Sequence, residues 1–398
     1  MRGFTPAGVF DLELGPPRRL WSPLGRRLDE FERARVLVRL HGRPLGFVDV
    51  DRPTATNVEE QARRELAGVI AAAPACLAGR RPAEAPPATV VVATRERPSS
   101  LARCLAALAA LEYPDVEVIV VDNAPRTDAT RDVTASFPGV RCVREDVPGL
   151  AAAHNRGLAE AGGAVVAFTD DDVVVDRHWL AELVAPFRAD ARVACVTGLI
   201  APAALDTPEQ MWQEEYWGFD KGFARRVFAF GDRGEPLHPY AAGSFGSGAS
   251  MAFRTDVLRS LGGFDPALGA GAPGFGGDDL AAFFDVLAAG HRLVYEPAAV
   301  AYHEHRREYD ALRAQAYGYG AGLTAYLTKL VVDRPGRAAT LAWRAPRGVA
   351  HALGARSAKN ARRPAGYPRE LTWIERRGML HGPFAYLRGR RRRRALYG

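Results

Sequence analysis

Three carboxylates in a row, Asp170, Asp171 and Asp172, close the apolar run in VVAFTDDDVVVDRHW, residues 165–179. The residues before them are β-branched and apolar and read as a buried strand. Neighbouring like charges repel and are costly to desolvate, so the cluster calls for either a solvated turn or a cation. Oxygen-only ligands on a short turn suit Mg²⁺ or Mn²⁺, which keep several waters and bridge to substrate phosphates. Alternate residues of an extended segment point the same way. That places Asp170 and Asp172 toward one site and sends Asp171 elsewhere, to a ribose or into the turn.

A second acidic pair, Asp278 and Asp279, opens the apolar helical pattern of FGGDDLAAFFDVLAAG. Acids at a helix start cap free N–H groups and meet the positive end of the dipole. With two adjacent acids, one can cap while the other serves as a general base, and the glycine-rich approach GAGAPGFGG gives the freedom of a substrate-covering loop. His303 in AYHEH lies where a strand returns to the same edge, and so completes an oxygen-rich metal site or is simply structural. The segment EQMWQEEYWGFDKGF carries Trp212, Tyr216, Trp217, Phe219 and Phe223. It reads equally as a stacking surface for sugar or lipid and as a helix packed on the core.

These groups need a scaffold that brings them together. From Thr89 on, short apolar runs alternate with helical patterns: TVVVAT, VEVIVVDN, VRCVRED and AVVAFTDDD are the strands, and PSSLARCLAALAAL, TDATRDVTASF and GLAAAHNRGLAEA the helices. This is the pattern of a parallel α/β sheet covered on both faces, whose ligands bind at the carboxyl ends of the strands. Thr94 with Arg95, Asp122 with Asn123, and Asp170 to Asp172 all fall at those ends. Beyond residue 190 the pattern is mixed. RVACVTGLIAP and SGASMAFR read as strands, DDLAAFFDVLAAG as a helix, and HRLVYEPAAVAYHEH as a closing strand with a turn.

Residues 1–85 read as a separate accessory module: a β-hairpin over RVLVRLHGRPLGFVDVD with its turn at GRP, helical spacing over NVEEQARRELAGVIAAAPACLAG, and the linker RRPAEAPPATV. Residues 86–305 read as the α/β domain that carries the acidic clusters, and 306–398 as a helical, basic extension. Its segment EYDALRAQAYGYGAGLTAYLTKL is expected to pack on the domain. The net charge of +7 is concentrated in the tail RGRRRRRALYG. That run is either a solvated terminus or a contact for an acidic partner such as an anionic membrane surface. No nucleic-acid partner is expected.

Several chemistries are excluded. There is no GxxxxGK[ST] phosphate loop, no GxGxxG after the first strand and no GxSxG elbow. The four cysteines, Cys76, Cys104, Cys142 and Cys195, form no CxxC or Cys/His cluster, which argues against structural zinc and a disulfide framework. The N-terminus lacks the apolar core of a signal peptide and no apolar run is long enough to span a bilayer. A cytoplasmic protein, soluble or peripheral on the inner membrane face, is expected.

From Thr89 to His305 the chain resembles the inverting family-2 glycosyltransferases of the GT-A fold. TVVVATRERPSSLARCLAAL is similar to their opening strand and helix, VEVIVVDNAPRTDAT to the strand whose Asp contacts the nucleotide base, and PGLAAAHNRGLAEAGGAVVAFTDDD to the Asn-x-Gly helix and DXD motif. SGASMAFRTDVLRSLGGFDPAL is similar to their acceptor-side strand and Gly-Gly-Phe-Asp turn, and GGDDLAAFFDVLAAGHRLVYEPAAVAYHEH to their catalytic helix and following strand. The usual Glu-Asp pair is Asp278–Asp279 here, Ala281 replaces a further acid, and His154 stands where Arg is common.

The resemblance implies a Rossmann-like, mostly parallel sheet with flanking helices and transfer of a sugar from a nucleotide-diphosphate donor to a hydroxyl acceptor. It assigns the base to Asp279 with Asp278 beside it, donor contacts to Thr94, Arg95, Asp122, Asn155 and Asp171, and Mg²⁺ or Mn²⁺ to Asp170 and Asp172, with His303 as a further ligand. The alternatives are a nucleotidyltransferase that makes the nucleotide-sugar and a non-catalytic sugar-binding relative. The first typically opens on a glycine-rich, basic stretch that TVVVATRERPSS lacks. The second has no need of the acidic pairs.

Overall fold

The computed structural model describes residues 4–73, 85–233, 235–354, 357, 359–364 and 366–397. The linker around residues 74–84, with Cys76, lies outside them. The N-terminal module has strands β1 (Ala7–Glu13), β2 (Arg19–Trp21), β3 (Arg33–Leu40) and β4 (Arg43–Asp51), then helices α1 (Ala55–Glu65) and α2 (Ala67–Ala72). The β3–β4 hairpin turns at His41 and Gly42, both at positive φ, so the turn begins one residue before the expected GRP and shares its glycine. The module is a full sheet in the order β2-β1-β3-β4, with β1 parallel to β3, rather than a lone hairpin.

The second layer begins with β5 (Ala88–Thr94), α3 (Pro98–Ala109), β6 (Val116–Asn123), α4 (Ala129–Ala135), β7 (Val140–Glu145), α5 (Leu150–Glu160) and β8 (Val165–Asp170). It continues through β9 (Val173–Val175), α6 (Trp179–Ala189), β10 (Val193–Pro202), α7 (Pro208–Trp217), β11 (Arg226–Phe228), β12 (Ser250–Arg254), α8 (Thr255–Ser260), α9 (Asp278–Ala288) and β13 (Arg292–His303). The strands run β11-β13-β10-β12-β8-β5-β6-β7, with β9 beside β13. Strands β7, β6, β5 and β8 are parallel as the alternating pattern predicts. Strand β12 inserts antiparallel between β8 and β10, making the sheet mixed. The turn expected within 291–305 is a bulge in one strand: between the Gly198–Glu296 and Leu199–Val300 pairs the register slips around Pro297, which has no N–H to offer.

Side chains alternate across this sheet. Val91, Ile119, Val166 and Phe168 pack with α5 and α9 through Leu158, Phe283 and Phe284. Val90, Val92, Val120 and Ala167 pack with α3 and α6 through Leu101, Leu105, Leu180 and Leu183. Each large apolar side chain fully buried in this way contributes ~1.5–3 kcal/mol. This period-2 packing fixes the register that sends Thr94, Asp122 and Asp170 to the carboxyl edge.

The N-terminal sheet docks through a buried polar knot. Arg39 donates to Asp11 at 2.6 Å and to Asp176, just after β9, at 2.9 Å, and the Tyr302 hydroxyl bridges Arg39 and Asp11. After β13 come α10 (Tyr309–Asp333), α11 (Ala338–Leu353) and α12 (Arg369–Tyr397). Helix α10 packs as expected, with Leu312, Ala316, Ala325 and Tyr326 buried. It lies so close to α12 that a Cβ on Gly320 would sit 1.9 Å from the Glu375 carbonyl oxygen. Among the described residues no helix is long and apolar enough to cross a membrane.

Candidate active site

Asp170 ends β8, and Asp171 and Asp172 form the turn into β9. Because the chain turns there, Asp171 and Asp172 both reach one guanidinium. Arg97 donates Nη1 to Asp171 at 2.5 Å and Nη2 to Asp172 at 3.0 Å. Asp171 also accepts the Thr94 hydroxyl at 2.6 Å, and Arg306 approaches Asp172 at 3.4 Å. Asp171 is thus held by Thr94 at the end of β5 and by Arg97 just before α3.

Burial and the neighbouring Asp172, Asp171 and Asp278 push the Asp170 carboxyl up to about 8. Burial raises Asp171 to about 6 against the pull of Arg97. Burial works the same way on Asp172, but His303, Arg97 and Arg306 outweigh it and hold that group below the usual range.

His303 ends β13 with Nε2 3.6 Å from Asp172 Oδ1. Burial lowers it to about 4, so it is neutral at pH 7. Its Nδ1 is 2.9 Å from Nδ1 of His305, whose Nε2 is 3.0 Å from Glu214 Oε2. Burial tends to raise Glu214, but its hydrogen bond and charge interaction with His305 leave it lowered and hence ionised. A carboxylate only accepts, so His305 donates from Nε2; with a neutral His305, Nδ1 accepts and His303 donates from Nδ1. The free lone pair of His303 is then on Nε2, toward Asp172. Fixing a ligand's tautomer through an outer carboxylate is a familiar way to prepare a metal-binding imidazole.

Helix α9 begins at Gly277, whose φ of 80° favours glycine and whose Cβ would lie 2.7 Å from the Gly322 carbonyl oxygen. The two acids after it divide. Asp278 is buried, with Oδ2 3.6 Å from His154 Nδ1 and without a hydrogen-bond partner. Asp279 is partly exposed and is gripped by two backbone donors, Gly248 N–H at 2.9 Å and Leu280 N–H at 2.8 Å. Burial and the adjacent Asp278 raise it to about 6 despite those donors. A carboxylate aimed by two N–H groups, partly open to solvent and poised near neutrality, has the character of a general base.

On the donor side, Asp122, next to last in β6, is buried, and its Oδ1 finds no partner within the protein. Burial raises this group too. Arg95 is exposed at the rim. Asn155 differs from expectation. Its amide is committed to the backbone of Phe264, donating to the carbonyl at 2.7 Å and accepting the N–H at 2.8 Å, and so it braces the Gly-Gly-Phe-Asp turn. His154 is buried between Phe168 and Phe264 with neither ring nitrogen hydrogen-bonded.

The residues missed by sequence are Arg97, Arg306, Glu214, His305 and Tyr319. Tyr319 of α10 lies within the electrostatic reach of Arg306, Asp172 and Asp279, and burial drives its hydroxyl upward. The Thr-x-x-Arg spacing after β5 was the one available signal, for Arg97. The aromatic helix α7 supplies Glu214, while its rings pack inward. Tyr216 stacks near Tyr367, Trp217 near Tyr319, and Phe219 near His303.

Among the described residues no three His, Cys, Asp or Glu side chains stand together as a ready-made metal cage. The donor set still fits a hard divalent cation. It offers crowded carboxylates that cannot all stay charged unaided and a neutral imidazole, and Mg²⁺-type sites use one or two carboxylates plus substrate phosphates.

Residues 89–262 match the family model described as Glycosyl transferase family 2. The chain is 29% identical over 293 residues to the pre-mycofactocin glycosyltransferase of Mycobacterium tuberculosis, an alignment covering 71% of this chain and 56% of that protein. It therefore spans little more than half the length of that relative. It is 27% identical over 246 residues to the glucosyl-dolichyl phosphate glucuronosyltransferase of Haloferax volcanii, covering 58% of this chain and 74% of the other. Among solved structures, the mannosyltransferase PcManGT from Pyrobaculum calidifontis, in complex with GDP-Man and Mn2+, aligns with a TM-score of 0.48 at 23% identity, covering 77% and 87% of the two chains.

Proposed function

We propose that the domain built on residues 89–262, which match the glycosyl transferase family 2 model, carries out a divalent-cation-dependent, inverting transfer of a sugar from a nucleotide diphosphate to an acceptor hydroxyl. The observation that carries this reading is the division of labour at the start of α9. Asp278 is buried beside His154, while Asp279 is oriented by Gly248 and Leu280 and partly open to solvent.

Donor binding follows from the strand ends. The unpartnered Oδ1 of Asp122 accepts from the nucleotide base, and Arg95 at the rim meets the nucleotide. Asp170, Asp172 and His303 Nε2 hold Mg²⁺ or Mn²⁺, with Arg97 and Thr94 keeping Asp171 in the turn. When bound, the cation neutralises the diphosphate leaving group. Arg97 and Arg306 add fixed positive charge beside it.

Asp279 accepts the proton of the acceptor hydroxyl. The hydroxyl oxygen forms its bond to the anomeric carbon as the bond to the diphosphate oxygen breaks on the opposite face. The electron pair leaves with the nucleoside diphosphate, and configuration inverts. The test is a donor screen read by nucleoside diphosphate release with Mn²⁺, with the product's anomeric configuration read by NMR. Release of pyrophosphate, or a product with retained configuration, contradicts the proposal.

A further inference from the structure

We propose that the outer face of α12 docks on an anionic lipid bilayer. This helix uses its inner face completely. Gly378 and Gly382 lie so close to α10 that a Cβ on either would come within 2.2 Å of the Tyr317 carbonyl oxygen or 2.3 Å of that of Ala321. The opposite face carries Trp373, Leu380, Phe384 and Leu387, exposed at 63%, 76%, 71% and 44%. Their steps of seven, four and three residues keep them on one stripe of a helix. Large apolar side chains so aligned and so exposed mark an interaction surface.

The charges beside the stripe identify the occupant. Arg377, Arg388 and Arg391 are exposed along it. After Glu375 the chain contains no acidic residue to its end. A second copy meeting this face through a two-fold axis would set these arginines against one another, which is repulsive. Anionic headgroups over an acyl layer accept both the arginines and the apolar stripe. The helix is not apolar enough to cross a bilayer, so it lies in the interface. The same helix braces the loop that leads to Asp279. The Tyr386 hydroxyl donates to Asp265 at 3.2 Å, and His381 packs on Phe275 with ring centroids 5.7 Å apart. Docking would therefore hold the 262–277 loop close to the lipid surface.

This inference goes beyond glycosyl transfer, and its test does not depend on activity. The whole protein is co-sedimented with phosphatidylcholine vesicles and with vesicles that also contain phosphatidylglycerol. Wild type partitions to the anionic vesicles, and L380S/F384S loses about tenfold or more of that binding. R377E/R388E loses it as well, and added salt weakens the wild type. Both serine sites are largely exposed, so thermal unfolding stays unchanged and a binding loss is not misfolding. Equal partition of wild type to both vesicle types, no binding at all, or undiminished binding by L380S/F384S overturns the proposal. So does light scattering that shows a wild-type dimer which L380S/F384S converts to a monomer, because the face would then belong to a second copy.

Discussion

Replacing Asp279 by Asn separates the role of its charge from that of its shape. The two carboxylate oxygens accept from Gly248 and Leu280 N–H groups. An amide can accept only one of these and turns its NH₂ toward the other, losing a hydrogen bond at a cost of ~1–3 kcal/mol. Relief of the repulsion from Asp278 offsets part of that, so the fold survives. The catalytic loss is larger: removing a general base costs ~10²–10⁴-fold, or ~3–5 kcal/mol of barrier. With Asp279 raised to about 6, turnover of the wild type should climb with pH and flatten above about 7, since at pH 5 only about one-tenth of the base is ionised. The assay is nucleoside diphosphate release across pH 5–8 at saturating donor and Mn²⁺, for wild type and Asp279→Asn. The variant should bind donor nearly as well, lose transfer, and lose the acid limb. Asp171 is also raised to about 6, so a surviving limb in the variant would assign it to the acidic turn. That result, or wild-type turnover in Asp279→Asn, would refute the assignment of the base.

The other predictions concern the cation site and the docked module. Glu214→Leu should weaken Mn²⁺ binding ~10–100-fold by titration calorimetry, because His305 then loses the acceptor that fixes the His303 tautomer. Metal-free stability should fall as pH rises from about 6.5 to 8: Asp170 binds its proton more tightly folded (about 8) than unfolded, so the stabilisation it gives is complete at low pH and lost through its folded pKa. His303, lowered to about 4, acts oppositely but only below about 6.5, so it leaves that window clear. Mn²⁺ should raise the melting temperature more at pH 8 than at pH 6, by differential scanning fluorimetry; an equal or reversed shift would contradict Asp170 as a ligand. In urea, Asp11→Ala should lose ~3–5 kcal/mol by leaving buried Arg39 with Asp176 as its one remaining carboxylate, whereas Asp11→Ala with Arg39→Met should recover part of it.

What was legible in the sequence depended on how local its cause is. Strands β5, β6 and β8 announce themselves because both faces of the sheet are covered, so each is a continuous β-branched run that ends on a polar residue. Asp170 to Asp172 and Asp278–Asp279 stand out for the same reason, as charge set against apolar neighbours. Strand β12 gave no hint of its antiparallel place, since Ser250–Arg254 reads the same in either direction and its partners are distant in sequence. Arg306 was invisible for a different reason. In a chain with 53 lysines and arginines, no local feature marks the one that folds back from beyond β13 beside a carboxylate cluster. The aromatic segment shows the limit most clearly. Its rings read equally as a ligand surface and as a helix packed on the core; they pack inward, and the residue that reaches the site is Glu214 between them, through His305 to His303. Helical spacing reports which face is buried but not what polar partner waits there. A buried carboxylate in an apolar helix face therefore points more directly to the site than the aromatics around it, because its burial is costly unless a distant partner compensates it.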